Sequence, residues 1–279
     1  MVQISELYIY PVKSLGGIKL DRALITDRGF KYDRRWMLID TNNRFISQRE
    51  NAQMALLSVS IENDFLTIVN TRNKTLINIP LNPLKQELIP VTIWDDTCLA
   101  QPVGDEADEW FTAALKMVCR LVYMPDETER FTDQQYTPEN SITSFSDAYP
   151  FLIIGQASLD DLNKRLGNVL PINRFRPNIV FTGGTPYQED TMDSFTINGI
   201  AFKGVKLCAR CNIITIDQSN ASSSKEPTKT LASYRTKNNK ILFGQNLIAI
   251  DPGTISVGDE LIVSTIHDSD RFIIPETVS

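Results

Sequence analysis

Short runs in which hydrophobic and polar positions alternate recur along much of the chain, and they predict strands. These runs are rich in β-branched and aromatic residues, and the clearest are ISELYIYPV, RRWMLID, LLSVSIENDFLTIVN, NIVFTG, DSFTINGIAFKGV and DELIVSTI. Turn-forming pairs such as Gly16-Gly17 and Asn198-Gly199 lie between or within them. Many short strands joined by regular turns favour barrels or sandwiches. The pattern therefore predicts a mainly β fold.

Two segments place hydrophobic residues at helical spacing and predict a few helices, which makes the expected class α+β. In DEADEWFTAALKMV, acidic residues crowd the first turn, and the apolar face consists of Trp110, Phe111, Ala114, Leu115 and Val118. In SLDDLNKRLG, the apolar stripe consists of Leu159, Leu162 and Leu166. Ser158 and Asp161 resemble a capping pair, and Gly167 suits the helix end. We expect both stripes to lie in the core.

A polar segment divides the chain. YMPDETERFTDQQYTPENS has no strand or helix periodicity and is interpreted as a linker or long loop after the first helix. We therefore predict one unit over residues 1–122 and a second over residues 123–279. A second polar segment, SNASSSKEPTKT, follows a pair of cysteines. It is either a mobile rim of a site or a plain surface loop.

Composition limits the possible functions. The net charge of −6 argues against a general nucleic-acid binder, although a local basic pocket for a small anion is compatible with it. The start MVQISELYIYPVKSLGG lacks the basic and apolar regions of a signal peptide. No apolar run reaches the roughly 18 residues that span a bilayer. We expect a cytoplasmic protein that binds neither nucleic acid nor membranes.

Histidine and isolated cysteines offer little chemistry. The single histidine, His267, lies among polar residues near the end of the chain and is interpreted as a solvated residue. Ser-His-Asp and Cys-His catalysis therefore lose nearly all support. Cys98 and Cys119 stand alone in the sequence, and we expect both to be structural.

The Cys-x-x-Cys of KLCARCNII is the strongest chemical signal in the chain. Arg210 lies between Cys208 and Cys211, and its charge is expected to lower a thiol pKa and favour a thiolate. A zinc site would need two further ligands that the sequence does not offer. A thioredoxin-like dithiol would need a helix at the first cysteine, where strand character prevails. A redox pair, a single metal-binding thiolate and a structural pair stay open.

Basic residues accompany three strand segments. Lys13 and Ser14 follow a strand in YPVKSLGG, a combination that suits a phosphate or carboxylate. YDRRWMLID carries adjacent arginines that we expect on opposite sides of a strand, and NRFRPNIVF carries two that we expect on one strand face; they are Arg34, Arg35, Arg174 and Arg176. An inward arginine needs an anionic partner. A phosphate-bearing cofactor whose metal is bound by a cysteine would explain all of these features.

Several motifs together resemble those of the MOSC proteins, named for the carboxyl-terminal domain of molybdenum-cofactor sulfurase. They are LYIYPVKSLGGI, RFRPNIVFTG, CARC, KEPTKTLASYR and FGQNLIAIDPGTISVGDELIV, in the family's order. The resemblance runs from about residue 3 to about residue 265. It implies an N-terminal MOSC β-barrel domain packed on a MOSC-type β-barrel domain. Bacterial reductases of N-hydroxylated bases and the mitochondrial amidoxime-reducing component belong to this family.

The resemblance also implies a site for the molybdenum cofactor, Mo-molybdopterin. The metal ligand and catalytic residue would be Cys211. The cofactor-binding residues would be Lys13, Ser14, Arg34, Arg176, Asn178, Ala209, Arg210 and Asn246. The chain departs from the family at Ala209, often serine in relatives, and at Ala148, Tyr149 and Ile214. These departures concern details of the cofactor contacts and of the substrate pocket.

The activity that the resemblance implies is reduction of N-hydroxylated small molecules to amines at molybdenum. Because some bacterial relatives continue into a ferredoxin domain and this sequence does not, the electrons are expected from a separate protein, a flavin or iron–sulfur reductase. The alternative is a sulfur carrier or cofactor-binding module that uses a cysteine persulfide. The sulfurases carry an additional aminotransferase-like domain for that chemistry, and this sequence has none.

Overall fold

Strands dominate the computed structural model, which describes residues 1–84 and 87–267. The strands are β1 Gln3–Ile9, β2 Ile18–Leu20, β3 Arg22–Thr26, β4 Gly29–Phe30, β5 Trp36–Ile39, β6 Leu57–Glu62, β7 Phe65–Asn70, β8 Leu76–Pro80, β9 Ile89–Ile93, β10 Asp96–Pro102, β11 Arg120–Tyr123, β12 Phe151–Gly155, β13 Ile179–Thr182, β14 Met192–Ile197, β15 Ile200–Ala209, β16 Thr236–Lys237, β17 Lys240–Ala249, β18 Gly253–Ser256 and β19 Leu261–Ile266. The α-helices are α1 Asp105–Leu115, α2 Gln156–Leu166 and α3 Thr228–Tyr234. The predicted mainly β class with a few helices is confirmed.

The largest sheet joins the two ends of the chain. Its strands lie in the order β19-β14-β15-β17-β12-β13-β1-β2. The first strand pairs antiparallel with β13, through Leu7 opposite Ile179, whereas β12 and β13 run parallel. The amino-terminal strand β3 also pairs antiparallel with β18, from the carboxyl-terminal half. The boundary between residues 122 and 123 stays a prediction. The strands β1 and β2, which precede this boundary, belong to a sheet whose other strands follow it.

Smaller sheets build the rest of the amino-terminal half. Three antiparallel groups lie in the order β5-β11-β10-β9, β18-β3-β4 and β6-β7-β8. The larger hydrophobic core of this half contains the fully buried Trp36, Leu66 and Phe111, and a separate cluster surrounds Val91 and Phe145. A second core lies under the largest sheet. Ile18 and Ile61 pack against both cores, so the two halves share apolar contacts.

The first helix lies where its hydrophobic pattern predicts. Phe111 and Leu115 are buried, and Trp110 and Ala114 pack at the edge of the same core. Lys116 has the left-handed φ of 56° and ends the helix. The prediction for Val118 is wrong, because that residue lies beyond the helix end and is 65% exposed.

The second helix confirms its apolar stripe but not its cap. Leu159 and Leu162 are buried, and Gly167 ends the helix with a φ of 65°. The predicted capping pair is wrong because the helix begins at Gln156, two residues earlier than Ser158. The Ser158 hydroxyl instead donates to the carboxylate of Glu189, at 2.8 Å, in the interior.

The arginine pairs of the sequence lie in turns rather than in strands. Arg34 and Arg35 precede β5, and Arg34 adopts a φ of 49°. Arg174 lies in a 3-10 turn, and Arg176, with a φ of 56°, precedes β13. The prediction that they occupy strand positions is therefore wrong. The left-handed backbone directs neighbouring side chains differently from a strand: Arg174 pairs with Asp217, whereas Arg176 does not.

The remaining expectations have mixed outcomes. Cys98 and Cys119 are buried, and burial raises both thiol pKa values to about 11, consistent with a structural role. His267 is not freely solvated, because its ring contacts the carbonyl of Gly204 at 2.9 Å. The polar segment after residue 122 is a packed loop, in which Arg130 is buried and bonded to Ser144. In the described residues, no helix has the length and apolarity to cross a membrane.

The backbone at Gly204, in β15, leaves no room for a side chain. A Cβ there would lie 2.2 Å from the carbonyl oxygen of Met192 and 2.3 Å from the Gln245 amide nitrogen. We predict that Gly204→Ala lowers the free energy of unfolding by about 1–3 kcal/mol through overpacking. Urea unfolding measures this change. Lys203→Ala, at the exposed neighbouring position, is the control, and equal stability of the two variants would contradict the close approach.

Candidate functional site

One pocket gathers every residue that the sequence analysis assigns to the cofactor. It opens between the two halves of the chain and holds about 800 Å³, including the space at its mouth. The predicted residues on its wall are Lys13, Ser14, Arg34, Arg176, Asn178, Ala209, Arg210, Cys211 and Asn246.

The turn after β1 brings Lys13 and Ser14 to the pocket. The backbone N–H of Lys13 donates to the carbonyl of Trp36, at 2.8 Å. Ser14 has the left-handed φ of 68°, and its carbonyl accepts a hydrogen bond from the buried side-chain amide of Gln48, at 2.7 Å. These bonds hold the turn against the N-terminal sheet, so the lysine and the serine face the cavity together.

Lys13 is a buried cation. Its side chain is only 6% exposed, and its ammonium donates to the carbonyl of Phe145, at 2.8 Å, and to Asp147, at 2.6 Å. Burial lowers its pKa to about 8, and the attraction of Asp147 only partly offsets that effect. The positive charges of Lys13 and Arg34 hold the pKa of the Asp147 carboxyl far below its usual range. The pair is therefore ionised at neutral pH.

Two guanidinium groups pack on the ring of Tyr10. The guanidinium carbon of Arg34 lies 4.6 Å from the ring centroid, and that of Arg176 lies 4.2 Å from it. The Tyr10 hydroxyl donates to the carbonyl of Pro177, at 3.1 Å. Gly17 permits this arrangement, because a Cβ there would lie 2.5 Å from the tyrosine ring. The buried ring thus fixes the positions of two cations whose charges repel.

Arg34 is further held by Asp33 and Asn178. Its guanidinium donates to the Asp33 carboxylate, at 2.6 Å, and to the side-chain oxygen of Asn178, at 3.0 Å. The amide of Asn178 also donates to the Tyr8 carbonyl and accepts from the Leu152 N–H. These contacts tie β1 and β12 together beneath Arg34. Asn178 therefore positions the arginine, and a direct contact with a cofactor stays a prediction.

Arg176 has no ion pair, because no carboxylate of the described residues lies within ion-pair distance of its guanidinium. It donates to the carbonyl of Leu15, at 2.7 Å. Burial lowers its pKa to about 10, and the positive charge of Arg34 adds to that effect. A depressed arginine pKa indicates a pocket with too little negative charge for its cations.

The Cys-x-x-Cys lies where β15 ends. Cys208 is still in the strand, whereas Cys211 precedes a 3-10 turn over Asn212–Thr215. The guanidinium of Arg210 contacts the Cys208 sulfur, at 3.2 Å, and the Phe175 carbonyl, at 2.6 Å. We expected Arg210 to activate a thiol, but burial outweighs its charge and raises the pKa of Cys208. For Cys208 that expectation is wrong.

Cys211 has the more available sulfur of the pair. It is half-buried on the pocket wall, and no described residue forms a hydrogen bond with its thiol. The described part of the chain contains no group of three or more histidine, cysteine, aspartate or glutamate side chains placed to hold a metal. A metal bound by Cys211 would therefore need most of its ligands from another molecule. A metal carried within an organic cofactor meets that requirement.

Two buried polar atoms on the pocket wall have no hydrogen-bond partner among the described residues, and they indicate what kind of ligand the pocket fits. They are Nε of Arg210 and the hydroxyl of Tyr149. Unpaired buried donors are costly and rare in folded proteins. Together with the cations, they fit an anionic ligand rich in acceptors. Ala148 and Ile214, where the chain departs from the family, lie on the same wall.

Several residues in or beside the pocket were not predicted from the sequence. Phe45 and Asp147 line it beside Lys13, Arg49 lines it from the N-terminal half, and Trp94 donates to Asp147, at 3.3 Å. Asp147 had a signal, since it lies beside Ala148 in SDAYPF. Arg49 lies in the polar run SQREN, which is indistinguishable from an exposed turn.

Comparison with known proteins agrees with these observations. Residues 1–118 match the MOSC N-terminal beta barrel domain, and residues 140–262 match the MOSC domain. The mitochondrial amidoxime-reducing component 1 of Mus musculus is 33% identical over 274 residues, covering 92% of this chain and 80% of that protein. The protein of the same name in Homo sapiens is 33% identical over 275 residues, covering 92% of this chain and 81% of that protein.

A longer relative matches as well. The molybdenum cofactor sulfurase of Oryza sativa subsp. japonica is 30% identical over 264 residues, which cover 87% of this chain but 32% of that protein. The family profiles together span both halves of the fold, and the match to the amidoxime-reducing components covers nearly the whole chain. The chain therefore belongs to the family of MOSC proteins that includes the mitochondrial amidoxime-reducing components.

Proposed function

We propose that the protein is a molybdenum-cofactor-dependent oxidoreductase that reduces N-hydroxylated compounds to amines. The observation that carries the proposal is the position of Cys211, whose sulfur lies in the same pocket as the buried cations Lys13, Arg34 and Arg176. A thiolate suits a soft or borderline metal, and the cations suit a phosphate. The names of the amidoxime-reducing relatives supply the substrate class.

The pocket residues divide the binding of the cofactor between metal, phosphate and ring. Cys211 would ligate the molybdenum. Lys13, Arg34 and Arg176 would neutralise the phosphate, and Arg176 has no carboxylate partner among the described residues. The unpaired Nε of Arg210 offers a further donor. The hydroxyl of Ser14 and the side-chain amide of Asn246 would also bind the cofactor. Ala209 would line the metal site with its backbone.

When bound, the cofactor supplies the two electrons that cleave the N–O bond. The overall reaction takes R–NHOH, two electrons and two protons to R–NH₂ and water. The chain's own groups orient the reactants and set the local charge. Lys13 Nζ holds a proton at neutral pH in the pocket, with Asp147 fixing its position. Phe45 and Phe175 line the wall and exclude water from part of the site.

The electrons are proposed to come from a separate protein, a flavin or iron–sulfur reductase, because none of the described elements forms a second redox site. We expect the substrate to be a small N-hydroxylated molecule. The cytoplasmic location expected from the sequence stays a proposal as well.

The match to a molybdenum cofactor sulfurase keeps a second candidate function in view. Cys211, half-buried and without a hydrogen-bond partner among the described residues, could carry a persulfide to a metal cofactor. Mass spectrometry of the purified protein separates the two functions. A persulfide on Cys211 in protein that lacks pterin would favour the carrier over the reductase.

The two cysteines should contribute unequally to catalysis. We predict that Cys211→Ser lowers N-reduction by about 100-fold or more, because it replaces the proposed metal ligand. Cys208→Ser should retain activity within about tenfold, as expected of a group that contacts Arg210 beside the metal. Reduction of benzamidoxime with a chemical electron source, normalised to bound molybdenum, measures both. Equal losses in the two variants would contradict the assignment of a single ligand.

The buried lysine should make anion binding depend on pH. Because burial sets the pKa of Lys13 at about 8, its charge is present below that pH and lost above it. We predict that the cofactor-free protein binds sulfate more weakly as the pH rises from 7 to 9. Sulfate keeps its charge over this range, Asp147 is already ionised at its lower end, and Arg176, with a pKa of about 10, remains charged.

The Lys13→Met variant is the control for the pH dependence of sulfate binding. The variant should bind sulfate more weakly at pH 7 and should show no step near pH 8, since arginine charges alone remain. Calorimetric titration at each pH gives the affinities. An unchanged step near pH 8 in Lys13→Met would show that another group is responsible.

A further inference from the structure

Arg49 is a cation of the pocket that neither the sequence motifs nor the proposed cofactor contacts account for. It lines the cavity from the N-terminal half, in the turn that follows the isolated β-bridge of Phe45. Its guanidinium carbon lies 3.9 Å from the ring centroid of Trp94, a close stack. Its Nε donates to the hydroxyl of Ser47, at 3.2 Å. Two contacts therefore fix the plane of the guanidinium.

The terminal nitrogens of Arg49 have no protein partner in the described part of the chain. No carboxylate there lies within ion-pair distance, and no acceptor takes a hydrogen bond from either nitrogen. The adjacent carboxylate of Glu50 contacts Arg44 instead, at 3.5 Å. A guanidinium that is stacked, oriented and open at its outer edge is suited to grip a planar anion with two parallel hydrogen bonds.

The surroundings of Arg49 place it towards the mouth of the pocket. Trp94, on which it stacks, is 43% exposed, and the indole N–H donates to Asp147. The Asp147 side chain is 65% exposed, whereas Lys13 on its other side is buried. Trp94 and Asp147 therefore lie nearer the solvent, and Lys13 lies deeper in the pocket. Because Arg49 stacks on Trp94, it lies on the outer part of the pocket.

The charges at the mouth leave Arg49 uncompensated. Asp147 is neutralised by the ammonium of Lys13, at 2.6 Å, so it contributes little net negative charge. Arg49 adds one positive charge to this balanced pair. A ligand that carries a carboxylate or phosphate would neutralise this remaining positive charge.

We propose that Arg49, held by Trp94 and Ser47, is a specificity-determining residue that binds an anionic group of the substrate. The preferred substrates are then N-hydroxylated compounds that carry a carboxylate or phosphate. This inference rests on the proposed function for its N-hydroxylated part. The anionic part rests on the contacts of Arg49 alone.

The kinetic test compares benzamidoxime with its 4-carboxylate. For the carboxylate, Arg49→Ala should raise KM about 10- to 100-fold, as expected for loss of a charged hydrogen-bond pair, and leave kcat nearly unchanged. For benzamidoxime, KM should change less than threefold. Arg49→Lys keeps the charge but loses the fork, and should lie between wild type and Arg49→Ala. Molybdenum content should equal that of the wild type in all variants.

Arg44 provides the matched control. It lies in the same segment, its side chain is 56% exposed, and it pairs with Glu50 outside the pocket wall. Arg44→Ala removes the same charge and should leave the preference for the carboxylate intact. Equal effects of the two alanine variants, or an equal rise of KM for both substrates, would overturn the proposal. So would a loss of molybdenum in Arg49→Ala, which would assign the residue to the cofactor.

A binding measurement decides the role of Arg49 independently of turnover. Calorimetry with benzoate and benzamide, which share shape but not charge, is performed on wild type and Arg49→Ala. Benzoate should bind wild type at least about tenfold more tightly than the variant, and benzamide should not distinguish them. If the protein reduces no N-hydroxylated compound yet shows this difference, the proposed function fails and the anion site stands. Equal benzoate affinities overturn the anion site whatever the activity.

Discussion

Buried positive charge is the constraint around which the pocket is organised. Lys13, Arg34 and Arg176 converge on one cavity, where Asp33 and Asp147 are the carboxylates that contact them. Charges removed from water interact strongly, and like charges there repel. Burial lowers the pKa values of Lys13 and Arg176, and repulsion from Arg34 adds to this effect. An anion bound in the cavity would relieve both repulsion and desolvation, which makes the arrangement intelligible as a binding site.

The fold tolerates this charge because several rigid contacts hold it in place. Tyr10 supplies a ring for two guanidinium groups, and Asn178 links Arg34 to the backbones of β1 and β12. A reciprocal amide pair between Gln48 and Gln218, with bonds of 3.0 and 2.9 Å, joins the N-terminal half to the segment that follows the cysteines. Both faces of the site are thereby fixed relative to one another. Such positioning is what precise metal and substrate chemistry requires.

Sequence patterns predicted the fold better than the local geometry of the site. The six predicted strand runs and both longer helices are present, because burial decides those elements, but strands such as β12 and β17 were not predicted. The turns that carry Arg34 and Arg176 were mistaken for strands, since φ values of 49° and 56° leave no hydrophobic signature in a sequence. Family motifs named residues that the structure brings to one pocket. Arg49 escaped notice, because its importance arises from Trp94, which is distant along the chain and adjacent only after folding.

We propose that this pocket holds a molybdenum-bearing pterin through the Cys211 sulfur and the surrounding cations. The most direct measurement is the molybdenum and pterin content of the native protein, purified from cells that synthesise the cofactor. The account predicts about one molybdenum and one pterin per chain, each sharply reduced when Arg34 and Arg176 are both replaced by alanine in protein that remains folded. Folded native protein that carries neither component, or molybdenum without pterin, would contradict it.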